Sequence, residues 1–506
     1  MTISQIGMLV AMVFYLGMMI YIGFKVSDRN KTMGDFFLGG RGLGPLVVAM
    51  SAEASDMSSW LLMGLPGVAY LSGVADAGWT AIGLAVGTYL NWLIVAKRLR
   101  RYSEKINAIT IPEFFSKRFH DEKNTLTLIA AIWIIIFFVP YTASGFCACG
   151  KLFNSLFGVD YHIAMIVSAI VIVLYTTLGG FLAASTTDFI QSIVMTIALL
   201  IVMIFGIGVA GGIDQVIANA SKLPGYFHFM ASYDTATHSA IPLAPLSIIS
   251  TMAWGLGYFG MPHILLRFMA IENEEKIALS RRVASIWVVI SMAVSVFIGI
   301  VGLQMSHVGV FELLSGSQSE TIIVKIASLL SQKGLFFAII AGVVLSGILA
   351  STMSTSDSQL LAASSSVSND ILVNVFHVQK SQKELLFISR ITLVLIAVVG
   401  VVLAWDPDSS VFKIVSFAWA GFGASFGPVM LLSLFWKRAN RQGALAGLLT
   451  GGATVFIWHF IIKPMGGLLG LYELLPAFII AIVVNIVVSS CTSKPDQEII
   501  DTFESV

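Results

Sequence analysis

Apolar runs of about 20 residues, each closed by charged or turn-forming residues, recur along almost the whole chain. They predict about thirteen membrane-spanning helices, near residues 5–25, 45–72, 78–97, 126–153, 162–182, 188–212, 244–269, 283–306, 334–364, 384–405, 411–436, 444–463 and 472–491. The expected fold class is therefore all-α and polytopic. The second run departs from the pattern. In its middle stand Glu53 and Asp56 with Ser51, Ser55, Ser58 and Ser59, followed by Gly64-Leu-Pro66-Gly67. A carboxylate at mid-membrane costs about 2.5–3.5 kcal/mol on insertion scales, so two of them require a partner: a metal ion, a proton or a substrate amine. The expected form is a helix broken here, its freed backbone carbonyls open to a small cation.

A second interrupted run follows about 200 residues later: Ser250-Thr-Met-Ala-Trp254-Gly-Leu-Gly257-Tyr258-Phe-Gly260-Met261-Pro262-His263. Glycine and proline are frequent in membrane helices generally. Two broken spans in corresponding positions of two halves nevertheless point to the central site of a transporter. Five spans counted from each break give 45–212 and 244–436 as inverted repeats. The helix at 5–25 and the pair within 444–491 are additions to this five-plus-five core, and residues 1–506 form one transporter domain.

Charge orients the spans, because Lys and Arg are retained on the cytoplasmic side. With the N-terminus outside, the connections on one side hold 23 of the 29 Lys and Arg. They include Lys25, Arg29, Lys31 and Arg41, the basic residues of 97–123, and Arg267, Lys276, Arg281 and Arg282. The expected orientation is N-terminus outside and C-terminus in the cytoplasm of a multi-pass inner-membrane protein. The first run has no basic residue before it and no small-residue cleavage site after it, so it is expected to stay as a span. The loops near 213–243 and 307–333 are the longest, with mildly amphipathic stretches, and the polar tail after Cys491 is expected to be mobile.

Composition narrows the function. With 57% hydrophobic and 11% charged residues, a 506-residue chain has too little polar surface for a soluble globule. A net charge of +1 offers no basic face to nucleic acid. The three cysteines form no disulfide framework, and Cys147 and Cys149 point to different sides of a predicted helix. Gly39-Gly-Arg-Gly-Leu-Gly44 follows a membrane helix and lacks the Lys-Ser/Thr of a nucleotide loop. No Gly-x-Ser-x-Gly or His-Glu-x-x-His motif occurs. The expectation is a carrier and not an enzyme, without a cofactor, working as a monomer on a small solute, a cation and the bilayer.

Several residues could carry that chemistry. Asp56 either attracts a monovalent cation or is a structural acid bonded to freed amides, and its neighbours Ser55, Ser58 and Ser59 favour the cation. In the ninth span Ser351, Ser354, Thr355 and Ser358 recur at three- and four-residue spacing and share one face. Small residues also serve tight helix packing, but Asp357 among them is an acid that packing does not need. Asp188, after Ser185-Thr-Thr, either caps the sixth helix or lies on an inward exit path. Trp60, Tyr141, Trp254 and Tyr258 fall mid-span and could wall a solute pocket. Lys413, near the start of the eleventh span, is expected to snorkel outward.

Leu38-Gly-Gly-Arg-Gly-Leu-Gly-Pro45, Ala54-Ser-Asp-Met-Ser58, Trp60-Leu-Leu-Met-Gly-Leu-Pro-Gly67, Trp254-Gly-Leu-Gly-Tyr-Phe-Gly260, Arg267-Phe-Met269, Met353-Ser-Thr355 and Ala418-Trp-Ala-Gly-Phe-Gly423 resemble the sodium/proline symporters of the solute:sodium symporter family. The likeness runs from about residue 10 to 490. It implies a LeuT-type fold and sodium as coupling ion, held by the carbonyls of Ala54, Met57 and Ser351 and the hydroxyls of Ser354 and Thr355, with Asp56 needed for coupling. It also implies an inward sodium path at Asp188 and a substrate site at Ser58, Trp60, Tyr141, Trp254, Tyr258, Met261 and Pro262. Four residues depart from the proline carriers' pattern: Glu53 and Ser59 stand where those have Gly, Met261 where they have Gln, and Asp357 where they have a small hydroxyl residue. Inward sodium flow driving uptake of proline or a related amino acid is the expected activity. The alternative is a proton-coupled or mixed carrier of a cationic amino acid or quaternary amine, with Glu53, Asp188, Asp357 and Ser358 on the ion path or at a proton site.

Overall fold

The computed structural model describes residues 2–27 and 31–506; Met1 and residues 28–30, with Arg29 of the basic set, lie outside the described residues. Among the described residues ten helices are long and apolar enough to cross a membrane. The chain begins with α1 (Ile3–Ser27). The run predicted at 45–72 is two helices, α2 (Pro45–Ser59) and α3 (Leu65–Ser72), joined through a wide turn at Trp60–Gly64. Pro45 and Pro66 occupy first-turn positions, where no intrahelical amide bond is lost. At the junction Ser58 takes φ 48° and ψ −172°, a region that costs a residue with a Cβ about 1–3 kcal/mol. The break therefore falls inside the acidic, serine-rich stretch.

Next come α4 (Val74–Leu90), α5 (Thr125–Phe157) and α6 (Tyr161–Val209). The second broken run is α7 (Pro245–Met252), a tight 3₁₀ stretch over Ala253–Gly260, an extended Met261, and α8 (Pro262–Ala270). Gly257 has no room for a methyl, which would overlap the Trp419 ring. That ring in turn donates from Nε1 to the Trp254 carbonyl at 2.7 Å. The chain continues through α9 (Ile277–His307), α10 (Leu335–Ser365), α11 (Gln382–Leu403), α12 (Val411–Phe435), α13 (Arg441–Ile457), α14 (Leu474–Cys491) and α15 (Gln497–Glu504).

The centre is α10. Every residue from Val344 to Ser365 is buried, so this helix has no lipid-facing side over that length. Around it pack α1, α2, α5 and α6. As a straight rod the 49 residues of α6 would measure about 73 Å, more than twice the roughly 30 Å apolar core of a bilayer. Gly180, at φ 61° and ψ −164°, turns it back. Tyr175 of the first limb bonds the Met353 carbonyl at 3.2 Å. On the second limb Asp188 shares an arginine with Ser358, and Ala198 lies against Gly347. The two limbs thus run along α10 in opposite senses.

Two expectations are corrected, those for the tail and for Asp188, and the long loop near 213–243 adds a hairpin to the all-α fold, β1 (Ala231–Asp234) antiparallel to β2 (Ser239–Pro242). Its turn is held by Asp234, which accepts from the Ala236 amide at 2.8 Å and the Thr237 hydroxyl at 2.9 Å. The tail after Cys491 is docked: α15 places Phe503 under the guanidinium groups of Arg98 and Arg118, 4.6 and 5.0 Å from the ring centre, and Glu504 pairs with Lys437 at 3.2 Å. Asp188 lies inside α6 and caps nothing, because the turn is made at Gly180 and the helix has already restarted.

Gly180→Ala is expected to destabilise the protein by about 1–3 kcal/mol, since a Cβ is disfavoured in that backbone region. Thermal unfolding in detergent should show a lowered midpoint, whereas Gly17→Ala, in open space on α1, should leave it unchanged or raise it.

Candidate functional site

The predicted residues stack along α2 in three layers, at Ser51, at Ala54–Met57 and at Trp60. The middle layer is where α2 meets α10. The Ser354 hydroxyl donates to the Ala54 carbonyl at 2.8 Å and lies 3.2 Å from the Ser351 carbonyl, which also accepts from Thr355 at 3.2 Å. The Tyr141 hydroxyl of α5 donates to the Asp56 carbonyl at 2.9 Å. Three helices therefore converge on main-chain oxygens freed where Ser58 leaves helical geometry. The Met57 carbonyl accepts the Trp60 amide beyond the break. Asp56 is buried, and its Oδ1 has no hydrogen-bond partner among the described residues. Carbonyl, hydroxyl and carboxylate oxygens in this arrangement suit a hard monovalent cation.

The second layer is aromatic. Trp60 lies 5.5 Å from Trp254 and 6.0 Å from Phe412, ring centre to ring centre, and Trp254 stacks on Tyr472 at 5.2 Å. Tyr258 meets Trp419 edge-on at 5.2 Å, and its buried hydroxyl lies on the Asp56 side. Ser58 accepts the Trp60 amide at 3.1 Å through its hydroxyl. Met261 is fully buried at the start of α8, where Pro262 takes the first-turn position. Trp60, Tyr141, Trp254 and Tyr258 are all buried, and among the described residues Trp60 Nε1 has no hydrogen-bond partner. A free buried donor of this kind can orient a small polar solute held between apolar walls.

The third layer centres on Arg267. Its Nη2 donates to Asp188 Oδ2 at 3.1 Å and to the Ser358 hydroxyl at 2.5 Å, Nε donates to the Ser51 hydroxyl at 3.0 Å, and Nη1 reaches the His263 carbonyl at 2.9 Å. Ser51 completes the ring by donating to Asp188 at 2.6 Å. Arg267 is 1% exposed. Its assignment to a cytoplasmic connection is therefore corrected: the α8 backbone carries it into the protein, and the Asp188 carboxyl pairs with it there. Asp357 adjoins this layer, accepting from the Tyr175 hydroxyl and from Ser358 at 3.0 Å. Glu53 lies on the opposite flank of α2, where one oxygen accepts from Thr88 and from Trp92 Nε1, both at 2.9 Å.

The family model described as the sodium:solute symporter family matches residues 36–451. The chain belongs to that family. It is 43% identical to the high-affinity proline transporter PutP of Bacillus subtilis over 96% of this chain and 98% of that one. It is 41% identical to the sodium/proline symporter of Haemophilus influenzae over 98% and 97%. A sodium-coupled sialic acid symporter, solved substrate-bound in an outward-open state, superposes with a TM-score of 0.80 at 18% identity, covering 98% of this chain and 99% of the other. The fold is thus that of a sodium-coupled symporter of the LeuT type.

In this member of the sodium:solute symporter family, residues outside the predicted set complete the site. Phe412 and Tyr472 join the aromatic layer from α12 and from the turn before α14. Lys151, buried in α5, pairs with Glu320 at 3.0 Å, and Glu320 accepts from the Ser410 hydroxyl and the Val411 and Phe412 amides at 2.8, 3.1 and 3.1 Å. This acid sits at the positive end of α12 and fixes the residue that covers Trp60. A mid-helix lysine is the one signal of it in the chain; its partner comes from a loop over 160 residues away.

Arg267→Ala should cost about 3–5 kcal/mol by leaving Asp188 buried and unpaired, while the Arg267→Ala/Asp188→Ala double variant should recover a large part of that loss. Thermal unfolding of the four members of the cycle measures the difference.

Proposed function

We propose that this chain is a secondary active symporter in which inward sodium flow drives uptake of proline or a closely related amino acid. The observation that carries the reading is the contact of the Ser354 hydroxyl with the Ala54 carbonyl at the broken helix. A sodium ion bound by the carbonyls of Ala54, Met57 and Ser351 and the hydroxyls of Ser354 and Thr355 would replace that direct bond and hold α2 against α10. Asp56 supplies the balancing charge through its unpartnered oxygen. Tyr141 links the ion to the solute, because its hydroxyl holds the backbone at Asp56, two residues before Ser58. The solute then sits among Ser58, Trp60, Tyr141, Trp254, Tyr258, Met261 and Pro262.

Alternating access follows from the stacked layers. The aromatic layer of Trp60, Trp254, Phe412 and Tyr472 closes one side of the site, and the Arg267–Asp188–Ser51–Ser358 ring closes the other. Opening the aromatic layer admits ion and solute. Opening the arginine ring releases them past Asp188. The inverted repeats are residues 45–212 and 244–436, the chain crosses the membrane thirteen times with its N-terminus outside and its C-terminus in the cytoplasm, and one chain suffices for transport. The extra acids are held by neighbouring helices: Glu53 Oε1 accepts from Thr88 of α4 and from Trp92 just after it, its Oε2 has no partner among the described residues, and Asp357 accepts from Tyr175 of α6 and its neighbour Ser358.

The test is uptake of labelled proline into proteoliposomes. Accumulation should follow an imposed sodium gradient in the wild type, and uptake indifferent to that gradient would sink the proposal. Ser354→Ala and Thr355→Ala each remove one oxygen from the ion, so each should raise the sodium concentration for half-maximal uptake about tenfold or more, the equivalent of a lost contact to a charge. A proton gradient alone, without sodium, should produce no accumulation.

A further inference from the structure

An apolar groove of about 690 Å³ runs along the outer flank of the helix bundle between α4 and α9. Val74, Gly78 and Phe229 line one end, Ala85 and Met292 the middle, and Tyr89 and Ser285 the other end. Along α9 it extends from Ser285 to Ile300, about 22 Å at 1.5 Å per residue, which exceeds the half-thickness of a roughly 30 Å hydrocarbon core. Ile82, Val86 and Val289, at its rim, are 37, 47 and 53% exposed, so the groove faces the surroundings of the bundle and not the transport site.

Its Ser285 end differs from the rest. One helical turn beyond Ser285, Arg281 lays its guanidinium over the Tyr89 ring, 5.5 Å from the centre. Arg281 has no acidic partner within ion-pair reach among the described residues, and its Nε is enclosed without an acceptor. The Ser285 hydroxyl likewise has no partner among the described residues. It does not even bond back to its own helix, which is the usual fate of a serine there. Two unused donors, four residues apart on one face of α9, therefore stand at the mouth of an apolar channel. One of them carries a full positive charge. A phosphodiester oxygen above an acyl chain satisfies all three features: it accepts from both donors, neutralises the arginine, and fills the groove with hydrocarbon.

We propose that this groove is a specific site for an anionic glycerophospholipid, with its phosphate on Arg281 and Ser285 and one acyl chain along α4 and α9 towards Phe229. The proposal rests on the membrane location and is independent of which solute is carried. Occupation ties α4 to α9, two helices flanking the two broken ones, without touching the ion or solute layers.

Native mass spectrometry of full-length protein, equilibrated in mixed micelles with equal phosphatidylglycerol and phosphatidylethanolamine, tests it. The wild type should retain phosphatidylglycerol preferentially. Arg281→Gln should lower that preference about fivefold, the effect of one basic residue at a membrane surface, while Arg282→Gln on the neighbouring exposed position should keep it. Ala85→Trp, which fills the groove, should lose both lipids while its thermal midpoint and sodium-driven uptake persist. Equal losses for Arg281→Gln and Arg282→Gln would reduce the effect to general surface charge and overturn the site. So would unchanged lipid retention in Ala85→Trp, or a dimer peak that Ala85→Trp abolishes, which would give the groove to a second copy of the chain.

Discussion

A main-chain carbonyl without a partner is costly wherever water is excluded, and the break in α2 creates such carbonyls among buried residues. The structure answers with side-chain hydroxyls: Ser354 bonds the Ala54 carbonyl and Tyr141 the Asp56 carbonyl. The rest of the site depends on this arrangement. It draws α10 into the centre of the bundle, requires the buried face of that helix to be rich in hydroxyls, and places the buried Asp56 carboxyl beside the freed carbonyls. The unfavourable backbone of Ser58 is kept because surrounding helices over-determine it.

The two closing layers are built on different physics. The aromatic layer is held by dispersion and ring contacts, which tolerate sliding and re-stacking; the Lys151–Glu320 pair anchors it at the start of α12, and Lys463, paired with Glu473, lies over the Tyr472 ring. The arginine layer is held by several directional bonds to one guanidinium. Such a planar fork has a fixed geometry, so it is either engaged or released. A ligand that repositions α2 by a small amount acts on both layers at once, since Ser51 and Trp60 belong to the same broken segment. In the proposed mechanism this links ion, solute and closing layers mechanically, without a separate relay.

Most of the buried charges near the site are accounted for by partners distant in sequence. Asp188 is compensated by Arg267 and Glu320 by Lys151, while Asp357 and one oxygen of Glu53 accept from neutral donors. Counting basic residues by their place between apolar runs put Arg267 in a loop, and the miss has a plain cause. Helix α8 is short, follows an irregular stretch and is polar at its end, so hydropathy reads its last turn as a boundary. The reading of Asp188 as a cap failed for a related reason: Gly180 makes the turn eight residues earlier, and the hydroxyl-rich stretch that imitated a cap is a buried helix bonding back to its own carbonyls.

Periodicity, hydropathy and the two Gly/Pro interruptions determined from sequence alone that this is a helical membrane transporter with two broken spans and a hydroxyl-lined face on the ninth run. Those properties are local: each depends on a window of about twenty residues and on the cost of polar groups in hydrocarbon. Which hydroxyl meets which carbonyl, which acid holds Arg267, where Glu53 and Asp357 direct their oxygens, and that the tail docks under Arg98 and Arg118 were decided only by the tertiary structure. Each of those depends on the rotation and height of one helix against another. Helical spacing says which residues share a face, but the element that face meets is chosen by packing across the whole bundle.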